Sequence, residues 1–293
     1  MSWRIIQITK PARLSVKNSQ LCIEILNEDT VNVPMEDISV ILVENSQIAF
    51  NSYLISQLAE YNIVMIACDD KHMPSVVIFP FHNHSRYSEI AWAQTEISEP
   101  FKKRLWQIII KAKITNQAKV LKCLQKSNAD TLCELSKRVL SGDAKNTEAY
   151  AANIYWKSLF DDFTRSDDDN ILNSALNYGY AVIRGCMARY IVACGLIPCF
   201  GIHHANKLNQ FNLVDDMMEP YRPFVDYAVY KMGVREMNKD TKAKLVKVLT
   251  TDCIIENEEY NLMKTIEITA FSLAKSIKAR NEKYLSLPVF KET

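Results

Sequence analysis

Hydrophobic and polar positions come in short runs over the first 80 residues and then change period. Residues 4–9, 12–17, 20–26, 30–33 and 38–44 are rich in Ile, Val and Leu, several of them alternating, and are separated by Pro, Asn and Asp. That is the pattern of strands joined by tight turns. Leu54, Ile55 and Leu58 fall at helical spacing within 51–60, and 63–68 and 75–79 return to strand character. Beyond Pro100 the strand signal nearly vanishes. Apolar residues recur at helical intervals over 101–125, with Lys and Arg between them, and again over 130–140, 172–194, 221–232, 241–250 and 260–279. A further helix is expected over 148–163, with the Thr147 hydroxyl as its N-cap and Glu148 in its first turn. Ser98 and Pro100 mark a helix start. The expected fold class is therefore α+β: a small N-terminal β-sheet domain with one short helix over 1–84, a linker over 85–99, and an all-α C-terminal domain over 100–293.

Composition narrows the class. At 293 residues, 48% hydrophobic and 24% charged, the chain can bury a sizeable core and is neither disordered nor fibrous. The longest apolar runs, such as 38–43 and 63–68, are far too short to span a bilayer, and no export signal is visible, so a cytoplasmic protein with no membrane partner is expected. Eight scattered cysteines without a CxxC pair fit reduced thiols better than disulfides or a zinc ribbon. The net charge of +1 hides an uneven distribution. Residues 1–84 carry five Lys/Arg against nine Asp/Glu, which leaves thirty against twenty-five for the remainder, so any polyanion belongs with the second part.

The densest polar chemistry lies in 195–223, GLIPCFGIHHANKLNQFNLVDDMMEPYRP. Taking 212–219 as a short helix at about 100° per residue puts Leu213, Val214, Met217 and Met218 on one side and Asp215, Asp216 and Glu219 on the other. Such a face is either solvated or part of a site. His203 and His204, just after a turn marked by Pro198 and Gly201, favour a mixed nitrogen and oxygen site for a divalent metal. Glu148 has two readings, a carboxylate favoured by the helix dipole or a ligand with small residues beside it. His72, His82 and His84, with Asp69 and Asp70, fit no compact ligand motif and read as loop residues. Asn173, Asn177, Tyr178 and Tyr180 interrupt an apolar helix, so these polar groups either brace a neighbouring loop or are wasted.

These pieces, in order, resemble the CRISPR-associated adaptation integrase family, which inserts new spacers into CRISPR arrays. The resemblance runs over almost the whole chain: Val33-Pro34-Met35-Glu36-Asp37-Ile38, then Thr147-Glu148-Ala149 with Tyr155-Trp156, then Ala175 to Tyr180, then 195–223. The GIHH and FNL-x-DD-x-MEP-x-RP wording is similar to the branch found with a single RNA-guided effector nuclease. The resemblance implies Glu148, His204 and Glu219 as catalytic metal ligands for Mg²⁺ or Mn²⁺, with Asp216, His203 and Asn177 of second rank. It implies transesterification, a DNA 3′-hydroxyl attacking a phosphodiester at a repeat boundary. Arg222, Lys207 and Arg184 are candidates for phosphate contacts through proximity to those ligands, and Arg222 could equally brace a carboxylate. The implied partners are DNA, a second copy of the chain through the sheet domain, a small ferredoxin-like adaptation protein, other adaptation proteins and the effector nuclease. The rival readings are a DNA-binding scaffold whose partner supplies catalysis and a repair nuclease acting on branched DNA.

Overall fold

A computed structural model of the chain describes residues 4–70, 72–78, 87–167 and 169–292. Two compact units emerge, Met1–Tyr87 and Ser88–Thr293.

The first unit contains β1 (Arg4–Ile8), β2 (Ala12–Lys17), β3 (Gln20–Ile25), β4 (Val31–Pro34), β5 (Ile38–Val43), β6 (Ile48–Phe50), α1 (Ser52–Glu60), β7 (Val64–Cys68) and β8 (Pro74–Ile78). They form two four-stranded sheets, ordered β1-β5-β7-β8 and β4-β3-β2-β6. Every residue of β5, ISVILV, is buried, which is why this strand reads as a continuous apolar run. β5 pairs in parallel with both β1 and β7. β2 and β3 form a hairpin whose turn residues Asn18 and Ser19 both take positive φ, matching the right-handed twist of the strands. Leu14, Leu21, Ile41, Leu54 and Met65 from both sheets and α1 meet in one apolar cluster. The Nδ1 of His72 bonds the Glu44 carbonyl at 3.2 Å, a structural contact. His82 and His84 lie outside the described residues, as does the expected boundary near residue 84.

The second unit is mostly helical: α2 (Tyr87–Thr95), α3 (Glu99–Cys123), α4 (Ala129–Lys137), α5 (Thr147–Leu159), α6 (Ile171–Ala193), α7 (Asn212–Met218), α8 (Arg222–Met232), α9 (Lys239–Val246) and α10 (Leu262–Ala279). Two features depart from the sequence expectations. The stretch read as a linker contains α2, whose buried Gln94 bonds the backbone of Ile197 and Phe200. A three-stranded sheet, β10 (Glu258–Asn261), β9 (Asp252–Ile255) and β11 (Val289–Phe290), also sits among the helices. Its strands are two to four residues long, too short for alternation to register.

α3 is the spine of this unit. Trp106, Ile110, Lys113, Gln117 and Val120 recur at intervals of four and three and are all buried, as is Asn116 beside them, so they form one stripe along the helix. Asn116 spends its amide on the Pro220 and Pro288 carbonyls and on the Phe290 N–H, which ties α3 to β11 and to the turn beside Glu219. α6 carries a polar stripe at the same spacing, Asn173, Asn177, Tyr180 and Arg184. Its C-terminus is closed by Gly195 at φ 80, where the Gly195 and Leu196 N–H groups return to Val192 and Ile191.

Candidate metal centre

Glu148 stands at the start of α5, but Thr147 is not its cap. The helix begins at Thr147, and the buried Asp143 carboxylate accepts the N–H groups of Thr147 at 2.8 Å and Glu148 at 2.9 Å. Asp143 therefore supplies the acceptor that the sequence assigns to the Thr147 hydroxyl, and leaves the Glu148 side chain free to point across to α3. There Lys113 Nζ lies 2.6 Å from Glu148 Oε1 and 2.5 Å from Glu219 Oε2. Two oxygens held by one nitrogen at those distances are within about 5.1 Å of each other.

Glu219 opens a 3-10 turn directly after α7 and is 5% exposed. Its Oε1 accepts from Arg222 Nε at 2.8 Å. Its Oε2 is an ion pair with Lys113 by distance, yet lies outside hydrogen-bonding geometry. Burial alone raises a carboxyl's pKa, but the charges of Arg222 and Lys113 outweigh it here and hold Glu219 at about 2. Burial likewise pulls Lys113 down, and the charges of Glu219 and Glu148 more than restore it, so its pKa stands above the ordinary lysine value.

The structure separates the roles of the paired histidines. His203 stacks flat on Trp106 of α3, with ring centroids 4.2 Å apart and planes 5° apart, and so covers a buried indole. His204 donates from Nδ1 to Asp216 Oδ1 at 2.6 Å, which leaves Nε2 as the ring's available lone pair. Asp216, with no exposed surface, also accepts the backbone N–H groups of Ile202, His203 and His204. Both of its oxygens are thus engaged within the protein, and one of them fixes the His204 ring. Gly201 is required here because a Cβ would sit 2.1 Å from the His204 carbonyl oxygen and 2.9 Å from Asp216 Oδ2. The Asp216 hydrogen bond is the leading cause of a raised His204 pKa; partial burial opposes it.

His204 and Glu219 line one cleft of about 360 Å³ with Tyr180, Arg184 and Arg222. Glu219 also lines a second cleft of about 180 Å³ with Lys113. Among the described residues, no three His, Cys, Asp or Glu groups stand together as a ready chelate. Glu148 and Glu219 instead converge on the Lys113 ammonium, and His204 joins Glu219 at the neighbouring cleft. The donor set nonetheless fits Mg²⁺ or Mn²⁺: two carboxylates drawn together by a cation, one buried oxygen without a hydrogen bond among the described residues, and an imidazole whose Nδ1 is fixed by a carboxylate.

The phosphate candidates divide. Arg222 braces Glu219 and lies over the Tyr180 ring at 4.7 Å. Arg184 grips Asp215 through Nε and Nη2 at 2.7 and 2.8 Å. Lys207 is exposed and lines a further cleft beside His204. Asn177 is exposed and accepts from Arg165 at 2.6 Å, while Asn173 bonds the Thr164 and Asp167 carbonyls, so the amides of α6 do brace a loop.

Residues 6–255 match the family of CRISPR associated protein Cas1. The chain belongs to the Cas1 family. The CRISPR-associated endonuclease Cas1 of Neisseria meningitidis serogroup C (strain 8013) is 37% identical over 296 residues, spanning 98% of this chain and 96% of that protein. A casposase bound to integration product has the same fold, with a TM-score of 0.78 at 17% identity over 96% of this chain and 92% of its own. So does a Cas1 protein from Thermotoga maritima, at 0.76 and 18% over 99% and 100%.

Several residues of this Cas1 chain's centre escaped the sequence reading. Lys113 is one of the Lys and Arg residues between the apolar positions of its helix, but its spacing from Trp106, Ile110 and Val120 puts it on the buried side. Asp226, buried on α8, takes the hydroxyls of Tyr155, at 3.0 Å, and Tyr180. Burial pushes its carboxyl up to about 7, against the lowering effect of those two hydrogen bonds. Arg165 joins Asn173 and Asn177 to the face of Tyr180.

Proposed function

We propose that this chain is a divalent-metal-dependent DNA endonuclease and integrase of CRISPR adaptation, with Glu148, His204 and Glu219 as the metal ligands. The observation that carries this reading is the convergence of Glu148 and Glu219 on a single cationic nitrogen, beside a histidine locked by Asp216. The endonuclease name of the Neisseria relative and the integration product of the casposase support the same chemistry.

Bound Mg²⁺ or Mn²⁺ would supply Lewis acidity at phosphorus and ease deprotonation of an attacking hydroxyl. The protein's own part is binding and orientation. Glu148 and Glu219 offer oxygen, and His204 offers Nε2. Asp216 keeps that ring in the tautomer with its proton on Nδ1, and Arg222 fixes Glu219 against rotation. In strand transfer a DNA 3′-oxygen forms a bond to phosphorus while the bond from phosphorus to the target strand's 3′-oxygen breaks. The proton lost by the attacking hydroxyl is balanced by the one gained at the leaving oxygen. With water as the attacking group the same centre is a nuclease. Lys207 is the phosphate contact that remains after Arg184 and Arg222 are committed to carboxylates. The sheet unit would pair two copies of the chain, and a small ferredoxin-like adaptation protein would space the pairs along DNA.

Glu148→Gln and His204→Ala test the assignment in a strand-transfer assay with Mn²⁺ and a repeat-bearing supercoiled plasmid. Joining is expected to fall by roughly a hundredfold or more, with duplex affinity unchanged. Joining at the parental rate by both variants contradicts the assignment and favours the scaffold reading.

A further inference from the structure

Lys113 sits where a metal centre of two carboxylates would need a positive charge. It is 9% exposed and its stem is packed in the α3 stripe. Glu219 is buried and Glu148 partly so, with the two oxygens on Lys113 within about 5.1 Å of each other, and such carboxylates repel, so without a cation between them the pair would splay or take up a proton. Arg222 is the other cation on Glu219, but its guanidinium is bonded to Oε1 and stacked on Tyr180, which makes it a fixed brace. Lys113 differs in two respects. An ammonium is a point charge on a flexible stem, and of its two carboxylate contacts the one with Glu148 Oε1 is a hydrogen bond at 2.6 Å whereas the one with Glu219 Oε2 lacks hydrogen-bond geometry.

It also has somewhere to go. Gln117 follows one turn later on α3 and lines the same cleft of about 180 Å³ as Lys113. The Gln117 Oε1 is buried and has no hydrogen-bond partner among the described residues, although buried acceptors are rarely left idle.

We propose that Lys113 is a resident counter-cation: it holds Glu148 and Glu219 at ligand spacing in the metal-free protein, and swings toward Gln117 when a divalent ion takes its place. Lys113 is thus a positioning residue, and it sets how tightly the centre binds metal. This rests on the ligand assignment made above. Removing the lysine charge leaves the carboxylates repelling each other in the free protein, which destabilises that state and strengthens the demand for an ion.

The test is Mn²⁺ binding to the full chain, followed by electron paramagnetic resonance, with melting temperatures taken with and without Mn²⁺. Lys113→Met is expected to melt lower without metal, to bind Mn²⁺ about tenfold more tightly or better, and to gain more from Mn²⁺ than the parent does. Lys113→Arg restores the charge and with it the parental affinity. Gln117→Leu leaves the contacts of Lys113 in place but removes its landing point, and is expected to weaken Mn²⁺ binding severalfold. Lys113→Met binding Mn²⁺ no more tightly than the parent overturns the inference. If that variant folds only with Mn²⁺, unchanged affinity in Gln117→Leu overturns it. Glu148→Gln and His204→Ala in the same titration separate the two claims. If neither loses affinity, the ligand assignment fails. If both lose it while Lys113→Met does not tighten, only the lysine inference fails.

Discussion

Asp216 accepts four hydrogen bonds, three from consecutive backbone N–H groups and one from the His204 ring, and is wholly buried. Asp216→Asn puts an amide donor against those donors and is expected to cost roughly 3 kcal/mol, lowering the melting temperature by about 6–12 °C. It should also weaken Mn²⁺ binding by about 10–100-fold through loss of the ring's orientation. A melting curve and a Mn²⁺ titration at the parental values would refute this. Asp226 gives a pH signature. Its folded pKa, about 7, lies above the ordinary 3.8, so the folded state keeps a proton that the unfolded chain releases. Its favourable contribution is therefore complete below about pH 3.8 and is lost as pH rises to about 7. Asp226→Asn should remove that decline and gain on the parent above pH 7, as read by denaturant midpoints across the range. Of these residues, Glu148, His204 and Glu219 stood out in the sequence through the resemblance and the polar density of 195–223. Lys113, Asp143 and Asp226 did not. Lys113 and Asp226 meet partners 35 to 106 positions away in the chain, and Asp143 acts through backbone groups that no side-chain pattern marks.

At the scale of elements, the close approach of α6 and α8 depends on Gly179, where a Cβ would lie 2.5 Å from Val225 Cγ1. Gly179→Ala is expected to destabilise the chain by about 1–3 kcal/mol through overpacking, and Val225→Ala in the same chain should recover part of that loss. Equal denaturation midpoints for the single and double variants would show that the contact is not limiting. Most strands and long helices were legible because their apolar periods are clean, as in 12–17, where β2 spans the expected residues, and in α6. β6, β9, β10 and β11 are two to four residues long, and their assignment comes from pairing rather than from local pattern. The acidic side of α7 was legible as a face but not as a buried one. Asp216 and Glu219 are enclosed because the loop at 201–206 and Arg222 fold over them.

For the whole molecule, the excess of positive charge lies beyond residue 84, in the unit that holds the whole candidate centre. Lys207→Ala is expected to weaken DNA binding similarly on all sequences and to reduce the slope of log affinity against log salt by about 1. Arg184→Ala, which loses an ion pair to Asp215, should alter stability more than that slope. A slope unchanged in Lys207→Ala would remove it from the interface. The division into a sheet unit and a helical unit was visible as a change of hydrophobic period. The boundary was less so, because α2 has no pronounced apolar face and announces itself only through tertiary contacts such as those of Gln94. The central claim is that Glu148, His204 and Glu219 bind one divalent ion. Anomalous diffraction from crystals grown with Mn²⁺ tests it most directly. The expected result is a single strong peak within coordinating reach of a Glu148 oxygen, His204 Nε2 and a Glu219 oxygen, with Lys113 Nζ withdrawn. A map with Lys113 still between the two carboxylates, and manganese elsewhere or absent, would contradict it.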